Sequence, residues 1–555
     1  RLMKKFIDSL LSEAFVKAKE GGELKTSDLP PLVIEVPKDP THGDLASNLA
    51  LVLARSEGRP PRTIAETLVR HLPKSEDLRS VSVAGPGFLN FKLAPRFWWA
   101  RLAEARAEGE RYGRPPAPER KLKVQVEFVS ANPTGPLTVG HGRNAVLGDS
   151  LARLLEAAGH DVVREYYFNN AGRQMQVLAA SVRARYLEKL GRPASFPEDG
   201  YQGEYIREIA TALEAEHGAK LADTDDPGVF QRAAEQAIFA DINATLERMR
   251  IRFDVHFNED SLYRDLSIEN LIADLRAVGA VYEKDGARWL RLTALGLPED
   301  RVIVKSSGEP AYRLPDIAYH RNKLERGFDL IVDVFGADHI AVHQEVKAGL
   351  RALGLDDSRV RTVIYQFVTL LRGGQQVKMS TRKAEYVTLD ELVAEVGTDV
   401  VRFLFLTRKA DTHLEFDLDL AKKQSMENPV YYVQYAHARI ANIVEKAKSE
   451  GISAQSAADL PLDRLTQDDE MTLIRRVAEF PDLVAEAAAA LEPHRVTFYL
   501  LELAAAFHAY YNRRENRVVS EDCELTSARL ALVESVGQVV RSGLGLLGVN
   551  APQRM

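Results

Sequence analysis

Between residues 122 and 168 the chain changes its hydrophobic rhythm twice. "LKVQVEFV" (122–129) alternates apolar and polar residues, the pattern of a strand. The next apolar positions fall at 147, 151, 154, 155 and 158, a helical stripe around "GDSLARLLEAAG" that Gly159 closes. "DVVREYYF" (161–168) then reads as a second strand. Strand, helix, strand predicts a βαβ unit and hence a parallel sheet. A second α/β stretch follows at "FDLIVDVFGADH" (328–339) and "VRTVIYQFVTL" (360–370), and residues from about 175 to 300 read as a helical, charged insertion between them. Upstream, "VSVAGPGFLNFKL" (81–93) alternates like strands around a Gly-Pro-Gly turn, among helical patterns that fill the rest of 1–95. The polar, Pro/Gly-rich run "EARAEGERYGRPPAPERK" (104–121) reads as the first linker. After about 395 strand signals fade, and the segments at 428–448, 493–512 and 528–548 are helical, the second with apolar residues at 496, 500, 503, 507 and 510. The expected architecture is an α+β domain over 1–110, a parallel-sheet α/β domain over 121–395 and an all-α bundle over 396–555.

Composition narrows the class without naming it. A chain of 555 residues is too long for one core, and 45% hydrophobic with 28% charged residues is ordinary for a globular protein. The formal net charge of −7 offers no general attraction to polyanions, so a nucleic-acid partner would have to meet local basic patches. Cys523 is the single cysteine, which rules out an internal disulfide and cysteine-based zinc or iron–sulfur sites and suits a reducing cytosol. "RLMKKFIDSLLSEAFVKAKE" breaks its apolar positions with charges and reads as an amphipathic helix, not a signal peptide. No uncharged run approaches the roughly 20 residues of a membrane span.

The stretch with a chemical question in it is "ANPTGPLTVGHGRN" (131–144), which joins the first predicted strand to the first predicted helix. Strand, Gly/Pro loop and helix in that order make an anion site, because free backbone N–H groups and the helix dipole point at whatever enters the loop. Gly140 would let a ligand approach closely, and His141 on the first turn can donate to a phosphate oxygen. The same residues would also serve as a plain tight turn with a surface histidine. A second stretch, "GGQQVKMSTRKAEYVTLDEL" (373–392), sets Lys378, Arg382 and Lys383 on a Gly-led loop.

Together the two stretches resemble the paired signatures of class I aminoacyl-tRNA synthetases. "TVGH" (138–141) matches the HIGH-type tetrapeptide and "KMST" (378–381) the KMSKS-type loop, in that order and within an α/β chain. The resemblance is closest to the bacterial arginyl-tRNA synthetases and runs nearly end to end, through "HGDLASNLA" (42–50), "GPGFLNF" (85–91), "EFVSANPTGPL" (127–137), "YRLPDIAYH" (312–320), "GADH" (336–339), "NPVYYVQYAHARI" (428–440) and "LGVNAPQRM" (547–555). It implies a Rossmann-type catalytic domain, an N-terminal domain that meets the tRNA elbow and a C-terminal anticodon-binding bundle of the DALR type. Two departures stand out. Thr138 replaces the usual first histidine, and Thr381 the second lysine, with Arg382 and Lys383 following.

By that resemblance the protein would activate L-arginine with ATP and Mg²⁺, then transfer it to the 3′-terminal adenosine of tRNA(Arg), as a cytoplasmic monomer that activates arginine only with tRNA bound. The resemblance puts His141, Gly140 and Lys378 in catalysis and adds Thr138, Gly336, Asp338, His339, Met379 and Ser380 to the ATP site. It assigns arginine to Glu127, Asn132, Tyr312, Asp316 and Gln344. Physical chemistry agrees on the carboxylates, the best partners of a planar, permanently charged guanidinium. Contacts to tRNA would come from Phe88 and Asn90, and from Tyr432, Tyr435, Arg439 and Met555. Tyr432, Tyr435 and Arg439 also share one helical face by spacing, which offers stacking rings and a cation to unpaired bases. No metal-ligand motif is expected, since "HIAVH" (339–343) lacks the carboxylate of a zinc hydrolase. Two rivals stay open at this level. One is another class I nucleotidyltransferase, although a single cysteine cannot build a cysteinyl enzyme's zinc site. The other is a non-catalytic tRNA-binding paralogue, kept alive by Thr138 and Thr381.

Overall fold

The computed structural model describes residues 2–37, 39–114, 120–224, 226–311, 313–377, 387–452 and 459–555. Its centre is a five-stranded, all-parallel sheet of β1 (Lys123–Glu127), β2 (Asp161–Phe168), β3 (Val255–Asn258), β4 (Leu330–Gly336) and β5 (Val360–Tyr365), in the spatial order β5-β4-β1-β2-β3. Helix α1 (Val139–Ala157) carries the chain from β1 to its neighbour β2, so the expected βαβ unit is present. Leu147, Leu151, Leu154, Leu155 and Ala158 of the apolar stripe are buried. From β2 the chain steps outward to β3, then crosses back to β4 on the other side of β1. The strand order reverses at β1 and β4, and in a parallel sheet the crevice beyond the carboxyl ends of that pair is where ligands sit. Two further helices, α2 (Arg313–Glu325) and α3 (Ile340–Ala352), pack together beside it around Leu314, Ile317, Val346 and Leu350.

Three expectations need correction. The stretch read as a helical insertion does contain helices Gly172–Lys189, Glu204–His217 and Gly228–Arg248, but it also contributes β3 to the central sheet. Strands Val281–Lys284, Ala287–Leu290 and Arg301–Val304 form a separate antiparallel sheet at its end. Each of these strands is four residues long, too short for alternation to register. Strand structure also continues past 395, because Leu414–Asp417 pairs in parallel with Val368–Arg372. Finally, the run read as a linker is helical through Glu108, the end of Pro95–Glu108, and continues as a 3₁₀ turn over Gly109–Arg111. Tyr112 then docks by donating to the Val477 carbonyl at 3.0 Å.

Before the sheet domain, strands Leu78–Ala84 and Phe88–Leu93 form the expected hairpin inside a four-stranded antiparallel sheet. After it come α4 (Pro429–Ser449), α5 (Asp468–Ala490), α6 (His494–Tyr511) and α7 (Cys523–Leu546), packed as a bundle. Val496, Leu500, Leu503, Phe507 and Tyr510 of α6 are all buried in it.

Candidate active site

The loop after β1 delivers Thr138 as the N-cap of α1. Its hydroxyl faces the His141 backbone nitrogen at 3.5 Å, while its own backbone N–H donates to His141 Nδ1 at 3.1 Å. The two residues close a reciprocal cap that uses histidine where Glu or Gln is usual. Burial holds the imidazole below its ordinary value, so it is neutral at pH 7. With Nδ1 accepting from Thr138, the ring proton sits on Nε2. The threonine oxygen thus accepts from the first turn of the helix while its O–H proton can still be donated. A Cβ on Gly140 would meet nothing nearer than the Thr138 hydroxyl, 3.7 Å away, whereas one on Gly142 or Gly148 would strike Leu389 or Phe128. Packing explains Gly142 and Gly148. Gly140 faces open space.

On the other side of β1 lies an acidic pocket. Glu259 directly follows β3, and its carboxylate accepts from Tyr167 Oη at 2.5 Å and Asn169 Nδ2 at 2.9 Å, with Tyr263 Oη at 3.5 Å. Asp316 projects from the first turn of α2. Burial, reinforced by the charges of Glu259 and Glu127, raises its carboxyl to about 7 against the pull of His320 and Lys323. Burial likewise raises Glu259. Burial, then the Glu259 and Asp316 charges, drives the Tyr167 hydroxyl far up and the Tyr263 hydroxyl to about 12. Two carboxyls pushed toward their neutral forms, ringed by phenols, have no cation hydrogen-bonded to them among the described residues. A guanidinium supplies one, and its fork matches carboxylates. Glu259 was not found from the sequence. It carries no motif, and the strand that positions it is too short to read.

Glu127 is buried at the end of β1 with both oxygens engaged. Oε2 accepts from Lys323 Nζ at 2.5 Å and Oε1 from Ser130 Oγ at 3.0 Å. Lys323 is itself fully buried and also reaches Asp333 Oδ1 at 2.7 Å, while His320 Nε2 lies 3.0 Å from Asp333 Oδ2. Burial alone would lower the ammonium, but Asp333 and Glu127 hold it above its ordinary value. Burial would raise Asp333, yet Lys323 and His320 keep it well below the usual carboxylate range. His320, Asp333 and His343 bring ligand-type atoms within 4.8 Å of one another. Because Asp333 is already matched by the ammonium, this is an ion-pair network rather than an open metal site.

The remaining expected residues are spread along the carboxyl edge of the sheet. Asn132 accepts from the Asn169 backbone at 2.9 Å and donates to Gln174 at 3.2 Å, beside the acidic pocket. Gly336 ends β4, with Asp338 and His339 exposed just beyond it and the His339 ring 5.8 Å from that of Phe335. Gln344 on α3 is exposed, while its neighbour His343 is buried and held to about 4, hence neutral, by that burial. Tyr312, Lys378, Met379, Ser380, Thr381, Arg382 and Lys383 lie outside the described residues.

Far from the crevice, α4 carries Tyr432, Tyr435 and Arg439 on one half-buried face. Arg439 donates to His508 Nδ1 at 2.9 Å, and His508 Nε2 donates to the Tyr432 carbonyl at 3.0 Å. The guanidinium lies 5.2 Å over the ring of Tyr511, which is 46% exposed. His508 and Tyr511 extend the expected set, and both come from a helix whose apolar stripe pointed only to core. Met555 is exposed at the chain end. In the N-terminal sheet Phe88 is exposed, but Asn90 is buried within its strand, paired with Ala46 and Ser82.

Comparison with known proteins supplies the family. Residues 3–93 match the arginyl tRNA synthetase N terminal domain, 102–442 the catalytic domain of class I (R) tRNA synthetases, and 433–555 the DALR anticodon binding domain. The chain is 50% identical over 555 residues to the arginine--tRNA ligase of Desulfotalea psychrophila, covering 100% of both chains. It is 50% identical over 543 residues to that of Salinibacter ruber, covering 94% of this chain and 95% of the other. The structure of Thermus thermophilus arginyl-tRNA synthetase superposes with a TM-score of 0.76 at 25% identity, over 99% of this chain and 100% of that one. These matches run along nearly the whole of this chain and of its relatives, and the chain belongs to the arginyl-tRNA synthetase family.

Proposed function

We propose that this arginine--tRNA ligase assembles its reaction across the carboxyl ends of β1 and β4, with ATP phosphates at the α1 loop and the arginine side chain between Glu259 and Asp316. The observation that carries this reading is the juxtaposition of two opposite chemistries on either side of one strand end. The α1 loop offers hydrogen-bond donors: His141 Nε2–H and the first-turn N–H groups of Val139 and Gly140, which have no intrahelical acceptor. The pocket beyond β1 offers carboxylates and phenols. Tyr312 joins the pocket and Lys378 the phosphates by family resemblance, and Asn132, beside the pocket, holds the polar groups of the amino acid. Gly336, Asp338 and His339 border the adenosine. Gln344 is the weakest of the assignments, since it points to solvent.

In the first step the arginine carboxylate attacks the α-phosphorus of ATP and pyrophosphate departs. A carboxylate is ionised at neutral pH, so no base is needed, and the protein's contribution is positioning and stabilisation of charge on the phosphate oxygens. His141 Nε2–H and the loop amides supply that stabilisation. Mg²⁺ arrives on the phosphates of ATP, and the loop's donor set suits phosphate oxygens rather than a metal ion. In the second step a ribose hydroxyl of the terminal adenosine of tRNA(Arg) attacks the activated carbonyl and AMP leaves.

The N-terminal unit, with exposed Phe88, meets the tRNA elbow, and the bundle meets the anticodon through Tyr432, Tyr435, Arg439, Tyr511 and Met555. The parallel pairing of Leu414–Asp417 with Val368–Arg372 supports a catalytic unit that runs past 395, with its junction to the bundle before Pro429. We infer a monomer working in the cytosol. Among the described residues no helix is long and apolar enough to cross a membrane. Aminoacylation of tRNA(Arg) with arginine, lysine and citrulline tests the reading: arginine alone should be accepted, and comparable charging with lysine or citrulline would overturn the assignment of the acidic pocket.

A further inference from the structure

The backbone directly after Glu127 is left-handed at two consecutive residues, Val129 at φ 64° and Ser130 at φ 44°. Neither is glycine, and a β-branched residue in that region is an outlier that persists only where its surroundings hold it. The surroundings are well defined. The Val129 N–H donates to Asn144 Oδ1 at 2.5 Å, and the Asn144 amide in turn donates to the Val334 carbonyl of β4 at 2.8 Å. Ser130 Oγ donates to Glu127 Oε1 at 3.0 Å and accepts the Tyr167 backbone N–H at 3.2 Å. Glu127 is fixed by Lys323 of α2, and Lys323 by Asp333 of β4. A continuous set of hydrogen bonds therefore runs from α2 through the turn after β1 to Tyr167 on β2, whose hydroxyl holds Glu259.

We propose that the buried Glu127–Lys323 pair is a positioning device, clamping the strained Val129–Ser130 turn so that Tyr167, Glu259 and Asn132 stand where they aim the arginine carboxylate at ATP, and that Glu127 does not itself contact the guanidinium. This rests on placing arginine between Glu259 and Asp316. Both oxygens of Glu127 are already bonded inside the protein, to a cation and a hydroxyl, whereas among the described residues no ammonium or guanidinium is hydrogen-bonded to the Glu259 or Asp316 carboxylate. Loosening the turn leaves the guanidinium's partners in place and misdirects the other end of the substrate. An error of about 1 Å in such aim costs on the order of 100-fold in rate.

The test is steady-state aminoacylation of the full chain with tRNA, reading kcat and the arginine KM separately for E127Q, S130A, K323M and K323R, beside E259Q and D316N. S130A and K323M should lower kcat by about 10- to 100-fold while the arginine KM moves by less than about 3-fold. K323R, which keeps the charge, should recover most of the kcat. E127Q should behave like S130A and unlike E259Q. An arginine KM raised about 100-fold by E127Q, with kcat kept, would place Glu127 on the guanidinium and overturn the proposal; so would wild-type kinetics for S130A. If K323M does not fold, S130A decides alone, since it removes one hydroxyl and leaves the buried charges matched. Failure of the underlying reading looks different: E259Q and D316N would then leave the arginine KM unchanged, whatever S130A does.

Discussion

The backbone nitrogen of Thr138 lies 3.1 Å from Nδ1 of His141, and that contact decides which edge of the imidazole faces the crevice. In the proposed mechanism the donor that matters is at the Nε2 position. H141Q, whose amide reaches that position, should keep more activity than H141N, whose amide reaches only as far as Nδ1. H141A should lose on the order of 100- to 1,000-fold in kcat, with the arginine KM little changed. Pre-steady-state formation of arginyl-adenylate gives the ranking directly, and equal loss in H141Q and H141N would contradict the assigned tautomer.

Thr138 is tied to the same contact from the other side. T138A removes the N-cap hydroxyl and should cost about 1 kcal/mol of stability, while T138S should be close to neutral. Urea denaturation measures both.

Glu259 and Asp316 should dominate arginine affinity. Removing either charge leaves a buried guanidinium short of a partner, so E259Q and D316N should each raise the arginine KM about 100-fold or more and leave the ATP KM within about 3-fold. Steady-state kinetics with each substrate varied in turn makes the comparison.

Asp316 also predicts a pH dependence, and its sign is definite. Its carboxyl is raised from 3.8 to about 7 in the free protein, so near neutrality a proton must leave when a guanidinium enters. The value of kcat/KM for arginine should rise with pH through about 7, and D316N should flatten that rise. The same shift acts on stability in the opposite sense. Between about 4 and 7 the native state holds a proton that the unfolded chain has lost, so this group's contribution falls as pH rises through that window and is level above it. D316N should therefore stabilise the free protein more at pH 8 than at pH 4, by on the order of 4 kcal/mol, in urea denaturation at the two values.

In the bundle, Arg439 is hydrogen-bonded to His508 with its guanidinium 5.2 Å over the ring of Tyr511, and the proposed role of this pair is to stack on a base. R439A and Y511A should each raise the KM for tRNA by roughly 10-fold and leave the arginine and ATP KM values unchanged, because stacking on one base is worth about 1–3 kcal/mol. A fluorescence titration with tRNA reads the same change in Kd.

How much of this was legible in the residues depended on element length and on whether the chemistry is local. β1, α1 and β2 could be read because each repeats its period several times, and the histidine loop because its donors are neighbours in sequence. β3 and Leu414–Asp417 could not, being four residues each, and with β3 went Glu259, which nothing but that strand brings to Asp316. Lys323 reads in sequence as one more charge on a polar helix. Its meaning lies in three elements that meet at its ammonium, and such a meeting leaves no trace in spacing. The same limit separated Phe88 from Asn90: alternation puts them on the same face, yet the strand's first residue is exposed and the third is covered.

The most direct test of the central claim is arginine-dependent exchange of pyrophosphate into ATP, run with each amino acid in turn and with and without tRNA(Arg). The account predicts exchange with arginine alone among the amino acids, appearing when tRNA is present, and its loss in H141A. Binding of tRNA without exchange under any condition would contradict it, and would leave a tRNA-binding protein that keeps the synthetase fold without the reaction.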